Sequence, residues 1–67
     1  MITIYVNGEA CAVSPSSSIA ELLVALGLEN KRVAVELNRE IVPRSRHPQT
    51  LLQGGDCVEI VHAIGGG

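Results

Sequence analysis

The sequence has almost no aromatic residues: Tyr5 is the only one among 67, and neither Trp nor Phe occurs. Proteins that bind single-stranded nucleic acid stack bases on aromatic side chains, so this chain has little with which to do so. Basic residues are also few, five against seven acidic ones, and they form no run. With a net charge of −2, this composition argues against a nucleic-acid partner.

Cysteine is scarce as well, and the two residues present, Cys11 and Cys57, match no spacing of a metal or redox motif. We interpret them as small core residues of a reduced protein, although a single disulfide stays open. No basic segment precedes an apolar one as in a signal peptide, and no apolar run is long enough to span a membrane. These features predict a cytoplasmic protein with no membrane or nucleic-acid partner.

What the sequence has in quantity is aliphatic side chains. Hydrophobic residues make up 46% of the chain, and almost all of them are Val, Ile, Leu and Ala. A domain of this size buries only about 60% of the surface that its unfolded chain exposes, so it folds alone only with a strongly apolar core. The composition therefore predicts one small domain.

The apolar pattern predicts the order of secondary structure. Alternation indicates strands over residues 1–6, 9–13, 33–37 and 57–62. Asn7-Gly8 predicts a tight hairpin turn between the first two strands, because both turn residues must take a positive φ. Ser18 and Glu21 form a capping box ahead of a short helix that ends at Gly27. The predicted apolar stripe of this helix is Ile19, Leu22, Leu23 and Leu26.

The segment between the third and last strands is less regular. Asn38-Arg39-Glu40 is interpreted as a turn, and residues 41–43 as a short extended piece that Pro43 confines to a sheet edge or a strand end. Residues 44–53 are mixed in character and compatible with a 3₁₀ turn, with Leu51 and Leu52 in the core. The order β-β-α-β-(β)-β predicts an α+β domain of the ubiquitin-like β-grasp type, a mixed four- to five-stranded sheet packed on one helix.

Residues that could carry catalysis are few. His47 lies before Pro48 in a predicted loop and His62 lies on the last strand, and neither has a partner at the spacing of a metal site or a triad. We interpret both as surface histidines. The two cysteines are interpreted as structural, because a nucleophilic thiol needs an activating base and a cleft. A catalytic function is therefore the least favoured one.

Three glycines, Gly65 to Gly67, follow Ala63 and Ile64 at the end of the last apolar run. We predict a domain over residues 1–64 and a flexible C-terminal tail over residues 65–67. Glycine has no Cβ, so such a tail can enter a narrow active site of another protein. A frayed end is the competing interpretation, and the residues alone leave both open.

Three stretches, "MITIYVNGE", "VAVELNREIVPRSR" and "GGDCVEIVHAIGGG", resemble the small sulfur carrier proteins of bacterial thiamin biosynthesis. The resemblance covers the whole chain, and its specific parts are the middle motif and the diglycine end, matched by Gly66 and Gly67. It implies a protein that is not itself an enzyme. It also implies the β-grasp fold, which this family shares with ubiquitin and with the small subunit of molybdopterin synthase.

The resemblance further implies a route for sulfur. An E1-like adenylyltransferase would use ATP to activate the carboxylate of Gly67, and a cysteine desulfurase or rhodanese-type partner would supply sulfur. The resulting thiocarboxylate would donate sulfur to thiazole synthase. Gly65 and Gly66 would thread into the partners' active sites, and the carrier itself would bind no cofactor.

Three residues are candidate partner contacts. Val61 should point away from the core, Ile64 lies close to the glycines, and Arg44 either meets an acidic partner surface or is simply solvated. Two other functions stay open. One is a sulfur carrier for molybdopterin or another sulfur-containing product, and the other is a non-covalent β-grasp module that docks through a sheet edge.

Overall fold

The apolar pattern folds into five strands, one α-helix and one 3₁₀ helix in a computed structural model, which describes residues 1–62. The elements are β1 (Ile2–Val6), β2 (Glu9–Val13), α1 (Ile19–Ala25), β3 (Val33–Leu37), β4 (Glu40–Val42), the 3₁₀ helix (Arg44–Gln49) and β5 (Cys57–His62). The predicted order of elements is confirmed. Within residues 1–62, no helix has the length and apolarity needed to cross a membrane.

The five strands form one mixed sheet in the order β2-β1-β5-β3-β4. β1 and β5 run parallel, whereas the β1–β2, β3–β4 and β3–β5 pairs are antiparallel. The last strand of the sequence is therefore the central strand of the sheet. β4 lies at one edge, as Pro43 directly after it predicts.

Two tight turns join the antiparallel hairpins. Asn7 and Gly8 have φ values of 51° and 86°, and Asn38 and Arg39 have φ values of 50° and 72°. Two central residues with positive φ define the hairpin turn whose twist matches that of the flanking strands. The turn predicted over three residues after β3 is one residue shorter, because Glu40 already belongs to β4.

The helix begins and ends at the predicted residues. The Glu21 N–H donates to Oγ of Ser18 (3.1 Å), and the Ser18 N–H donates to Oε1 of Glu21 (2.8 Å), which completes the capping box. At the other end Gly27 has a φ of 75°, and the N–H of Leu28 donates to the carbonyl of Leu23 (2.8 Å). This left-handed residue and its hydrogen bond terminate the helix.

The core lies between the helix and one face of the sheet. Its buried apolar residues are Ile4, Val13, Ile19, Leu22, Leu23, Val35, Leu52, Val58 and Ile60. Two leucines predicted in the core are exposed instead. Leu26 is the C-terminal cap residue, one position past the helix, and is 41% exposed. Leu51 precedes Leu52 in extended backbone, where successive side chains point to opposite sides, so only one of the two enters the core.

The prediction of two core cysteines is wrong for Cys57, which is exposed, while Cys11 is half-buried. Cys11 lies opposite Ile4 and Cys57 lies opposite Tyr5, so the two thiols belong to opposite faces of the sheet. β1 also separates their strands, and both thiols are free. A disulfide between them would require a different fold.

The prediction of two surface histidines is wrong for His47 and correct for His62. His47 is buried, and its Nε2 lies 3.1 Å from the carbonyl oxygen of Val42. The 3₁₀ helix folds back over the end of β4 and brings the ring to that carbonyl. We interpret His47 as a structural residue, because the contact of its ring nitrogen with the Val42 carbonyl replaces the hydrogen bond to water that burial removes.

Candidate functional site

The candidate site begins at the end of β5, where the chain leaves the described part of the structure. Val58 and Ile60 are buried, whereas Glu59 and Val61 are exposed, so the predicted alternation along β5 is confirmed. Val61 has 60% of its surface exposed. Ile64, the three glycines and the boundary between residues 1–64 and 65–67 lie outside the described residues, and those predictions stay predictions.

Val61 belongs to the sheet face that points away from the helix, which we call the outer face. In residues 1–62 no helix packs on this face, and its large apolar side chains Tyr5, Ile41 and Val61 are all exposed. Val61 lies opposite Ala34 of β3, and Ile41 lies opposite Glu36. Polar residues lie among these three side chains, so they offer separate apolar contact points to a partner and not one continuous patch.

The outer face also carries two acidic residues side by side. Glu36 of β3 lies directly opposite Glu59 of β5, so their side chains are direct cross-strand neighbours on one face. Like charges in this position weaken a sheet by a few tenths of a kcal/mol to about 1 kcal/mol. A basic partner surface would offset that repulsion, which makes the outer face complementary to positive charge.

Arg44 lies on another surface. It is exposed at the start of the 3₁₀ helix and lines a shallow depression together with Val24, Glu29 and His47, beside the helix. Val61 lies on the opposite side of the sheet. The structure therefore does not bring the candidate contacts Arg44 and Val61 together, and one flat partner surface would not reach both.

A pocket of about 400 Å³ lies beside the end of β5. Its lining includes Glu9, Cys11 and His62, three residues of catalytic type that are far apart in the sequence. In the described part of the chain no hydrogen bond joins Cys11 to Glu9 or His62, and no group of three such residues could hold a metal ion. A thiol without a hydrogen-bonded base lacks the arrangement of an activated nucleophile.

Two asparagines have a role that the sequence prediction missed. Asn7 and Asn38 each begin a hairpin turn, and each side chain also bonds to the backbone of β5. The sequence predicted only the turns, because nothing local reveals that β5 passes beside both of them. The one signal in the sequence for this shared role was that two turns of the same type both begin with Asn.

A mixed five-stranded sheet with one helix across a single face defines a ubiquitin-like β-grasp protein. Within that class the chain belongs to the ThiS family, whose model matches residues 4–67. The predicted fold class and the resemblance to the sulfur carriers of thiamin biosynthesis are both confirmed.

Individual relatives agree with this assignment. The sulfur carrier protein ThiS of Bacillus subtilis is 44% identical over 52 residues, which are 78% of this chain and 79% of that protein. The thiazole synthase of Paramagnetospirillum magneticum is 45% identical over 64 residues, 96% of this chain, and the chain spans only 20% of its length. The crystal structure of a thiamine biosynthesis protein (ThiS) from Geobacter metallireducens superimposes with a TM-score of 0.85 at 36% identity and covers 98% of this chain and 100% of that one.

Members of the family are small sulfur carriers rather than enzymes. The prediction of a sulfur carrier of thiamin biosynthesis is confirmed at the level of the family.

Proposed function

We propose that this domain is a sulfur carrier of thiamin biosynthesis whose Gly67 carboxylate is adenylated and then converted to a thiocarboxylate. The observation that carries the proposal is the family match, which extends through the glycines to residue 67. The proposal requires a free carboxylate at Gly67. Gly65 and Gly66 serve as a narrow leader that brings this carboxylate into the active sites of partner enzymes.

The chemistry explains why the carrier needs ATP. A carboxylate resists attack because its negative charge is delocalised over both oxygens. Adenylation joins one of these oxygens to the α-phosphorus of ATP and releases pyrophosphate, which leaves an acyl carbon with a good leaving group. A persulfide on the sulfur donor then displaces AMP and forms an acyl disulfide. A thiol cleaves its S–S bond, which leaves the thiocarboxylate on the carrier and a disulfide on the donor side. Each of these steps is easier than direct exchange of oxygen for sulfur.

The partners supply the catalytic groups in this proposal. An E1-like adenylyltransferase binds ATP and activates the tail, and a cysteine desulfurase or rhodanese-type protein delivers sulfur. The carrier contributes a reactive end and a surface for recognition, and binds no cofactor of its own. A reaction that consumes ATP, on a chain with two free thiols, fits the cytoplasm.

Thiazole synthase is the proposed acceptor of the sulfur. The thiazole synthase of Paramagnetospirillum magneticum contains a segment 45% identical to this chain, so that protein joins a carrier-like sequence to an enzyme of this name. Domains joined in one polypeptide meet at a high effective concentration, which suits a donor and its acceptor. This relative favours the thiamin pathway over molybdopterin for the present chain.

We place the recognition surface on the outer face, around Val61. The exposed Tyr5, Ile41 and Val61 offer apolar contact, and the Glu36–Glu59 pair offers complementarity to a basic partner. Val61 precedes Ile64 by three residues and Gly65 by four, so a partner that covers Val61 is also close in sequence to the tail. Arg44 would serve a second contact, on the helix side, with an acidic surface.

Replacing Val61 with Thr is expected to raise the KM of the carrier for its adenylyltransferase about five- to tenfold, with kcat unchanged. Thr keeps the shape and branching that suit a strand, while its hydroxyl loses water at an apolar contact, at a cost of about 1–3 kcal/mol. Initial rates of pyrophosphate release at varied carrier concentration measure the effect.

Leu51→Thr is the control, because Leu51 is 53% exposed beside Ser18, away from both the outer face and the depression around Arg44. Its KM should stay at the wild-type value. Equal KM values for the Val61 and Leu51 variants would remove the outer face from recognition.

The proposal as a whole is tested by intact mass. The 67-residue chain is incubated with ATP, an E1-like partner and a sulfur source, and should gain the mass difference between one sulfur and one oxygen atom. Transfer of that sulfur in a reconstituted thiazole synthase assay separates the thiamin pathway from other products. The control is an established ThiS protein that the same partners convert. If those partners leave the mass of this chain unchanged, the function is that of a non-covalent interaction module.

A further inference from the structure

The parallel pair between β1 and β5 is short. The Tyr5 N–H donates to the carbonyl of Asp56 (2.9 Å), and the Asn7 N–H donates to the carbonyl of Val58 (2.8 Å). If β1 continued, the next carbonyl, that of residue 7, would accept from the Ile60 N–H, and the N–H of residue 9 would donate to the Ile60 carbonyl. The chain instead turns at Asn7 and Gly8, so neither main-chain bond forms.

The side chain of Asn7 replaces both of these missing bonds. The Ile60 N–H donates to Oδ1 of Asn7 (2.8 Å), and Nδ2 of Asn7 donates to the Ile60 carbonyl (3.2 Å). A carboxamide carries one acceptor and a pair of donor hydrogens in nearly the geometry of a peptide group, so it extends the ladder by one step. Because these groups are partly buried, leaving them unpaired would be costly.

Asn38 does the same at the opposite end of β5. The Asn38 N–H donates to the carbonyl of Cys57 (2.7 Å), and the Cys57 N–H donates to Oδ1 of Asn38 (2.9 Å). In a continuing antiparallel ladder the main-chain carbonyl of residue 38 would accept that second bond. The central strand is thus held at its first residues by Asn38 and near its last residues by Asn7.

The two positions differ in what lies beyond them. After Ile60, β5 pairs only with β3, through Val61 opposite Ala34 and His62 opposite Val33. On the side of β1, Asn7 makes the last contact of the sheet with β5 before the chain continues toward the glycines. Asn38 instead holds the start of the strand at Cys57, three residues before Ile60, where Asn7 binds.

We propose that Asn7 is a positioning residue for sulfur transfer: its side-chain amide holds β5 on the side where the β1 ladder has ended, while β3 holds the other side as far as His62, and together they fix the point from which the tail is presented to the partner. The inference rests on the proposed function, because it assigns a residue to the delivery of the Gly67 carboxylate. Asn38 uses the same bonds to stabilise the fold only.

The test compares Asn7→Gly with Asn38→Gly. Glycine takes positive φ readily, so both hairpin turns persist while the side-chain bonds to β5 disappear. In Asn7→Gly, amide hydrogen exchange followed by NMR on the 67-residue chain should accelerate about tenfold at Ile60 relative to Val35. In Asn38→Gly the acceleration should appear at Cys57 and not at Ile60.

The functional arm measures adenylation of each variant at varied carrier concentration. A variant that is only less stable has fewer folded molecules, so its apparent KM rises while kcat holds. A misdirected tail binds normally and reacts slowly, so Asn7→Gly should lower kcat about tenfold with KM changed less than about twofold. Asn7→Asp keeps the acceptor for the Ile60 N–H but sets a carboxylate oxygen against the Ile60 carbonyl, so it should restore only part of the lost kcat.

Equal kcat losses in Asn7→Gly and Asn38→Gly, or a change confined to apparent KM in Asn7→Gly, would overturn the proposal. Unaltered exchange at Ile60 in Asn7→Gly would overturn it as well. If the wild-type chain is not adenylated, the proposed function is wrong, and so is the role of Asn7 in presenting the tail. The exchange measurement, which needs no partner, then decides whether Asn7 holds β5.

Discussion

Deletion of Gly67 is expected to lower adenylation of the chain by at least about 100-fold, even though Gly65 and Gly66 then form a new diglycine end. Each residue of extended chain spans about 3.3–3.6 Å, so the deletion withdraws the carboxylate by that distance from the α-phosphorus of ATP. Displacements of about 1 Å already reduce rates by about 10²-fold when reacting groups must be aligned. Pyrophosphate release and intact mass measure the loss.

Gly65→Ala is the matched control for this deletion. It keeps the length of the tail and places one methyl group away from the reacting carboxylate, so its loss of rate should be far smaller. Wild-type loading of the deletion variant would mean that partners accept any terminal glycine and do not measure the distance from the sheet. Equal loss in both variants would mean that the width of the tail, and not its length, controls entry.

Local signals were sufficient to predict most of the fold. The alternation of Ile2, Ile4 and Val6, the capping box at Ser18 and the turn at Asn7 each depend on residues a few positions apart. Such interactions form in the same way wherever the segment lies in the domain. The sequence therefore predicted four strands, a short extended piece where β4 lies, and the helix, as well as the outward direction of Val61 on β5.

The errors concern contacts between segments distant in sequence. His47 is buried because the 3₁₀ helix returns to the end of β4, and Cys57 is exposed because β5 directs it to the face without the helix. Leu51 and Leu52 are both apolar, and only the extended backbone at that point decides which of them enters the core. Hydrophobicity alone does not contain this information.

The candidate site shows the same division. Alternation predicted an exposed Val61, but the outer face around it depends on the order β2-β1-β5-β3-β4, which places Glu36 against Glu59. That order also brings Asn7 to Ile60 across 53 residues of sequence. Arg44 was a candidate contact because it lies in a stretch that resembles the family, and Val61 because alternation points it outward; the fold separates the two.

Replacing Ile4 with Ala is expected to lower the free energy of unfolding by about 2–5 kcal/mol, because a fully buried side chain leaves a cavity that the core fills only in part. Ile4 is 0% exposed on β1, beneath the helix and next to the central strand. Domains have about 0.05–0.15 kcal/mol of stability per residue, so a chain of this length has little reserve against such a loss. Urea titration followed by circular dichroism measures the change.

Ile41→Ala makes the same chemical change on the same sheet, at a residue that is 74% exposed on β4. No cavity forms there, so its effect on unfolding should stay below about 1 kcal/mol, within the range of strand propensity. Comparable losses in the two variants would contradict a core centred on Ile4. Because only the folded Ile4→Ala molecules bind the adenylyltransferase, the apparent KM of this variant should rise as its folded fraction falls. Its kcat should stay at the wild-type value, because each folded molecule still reacts normally.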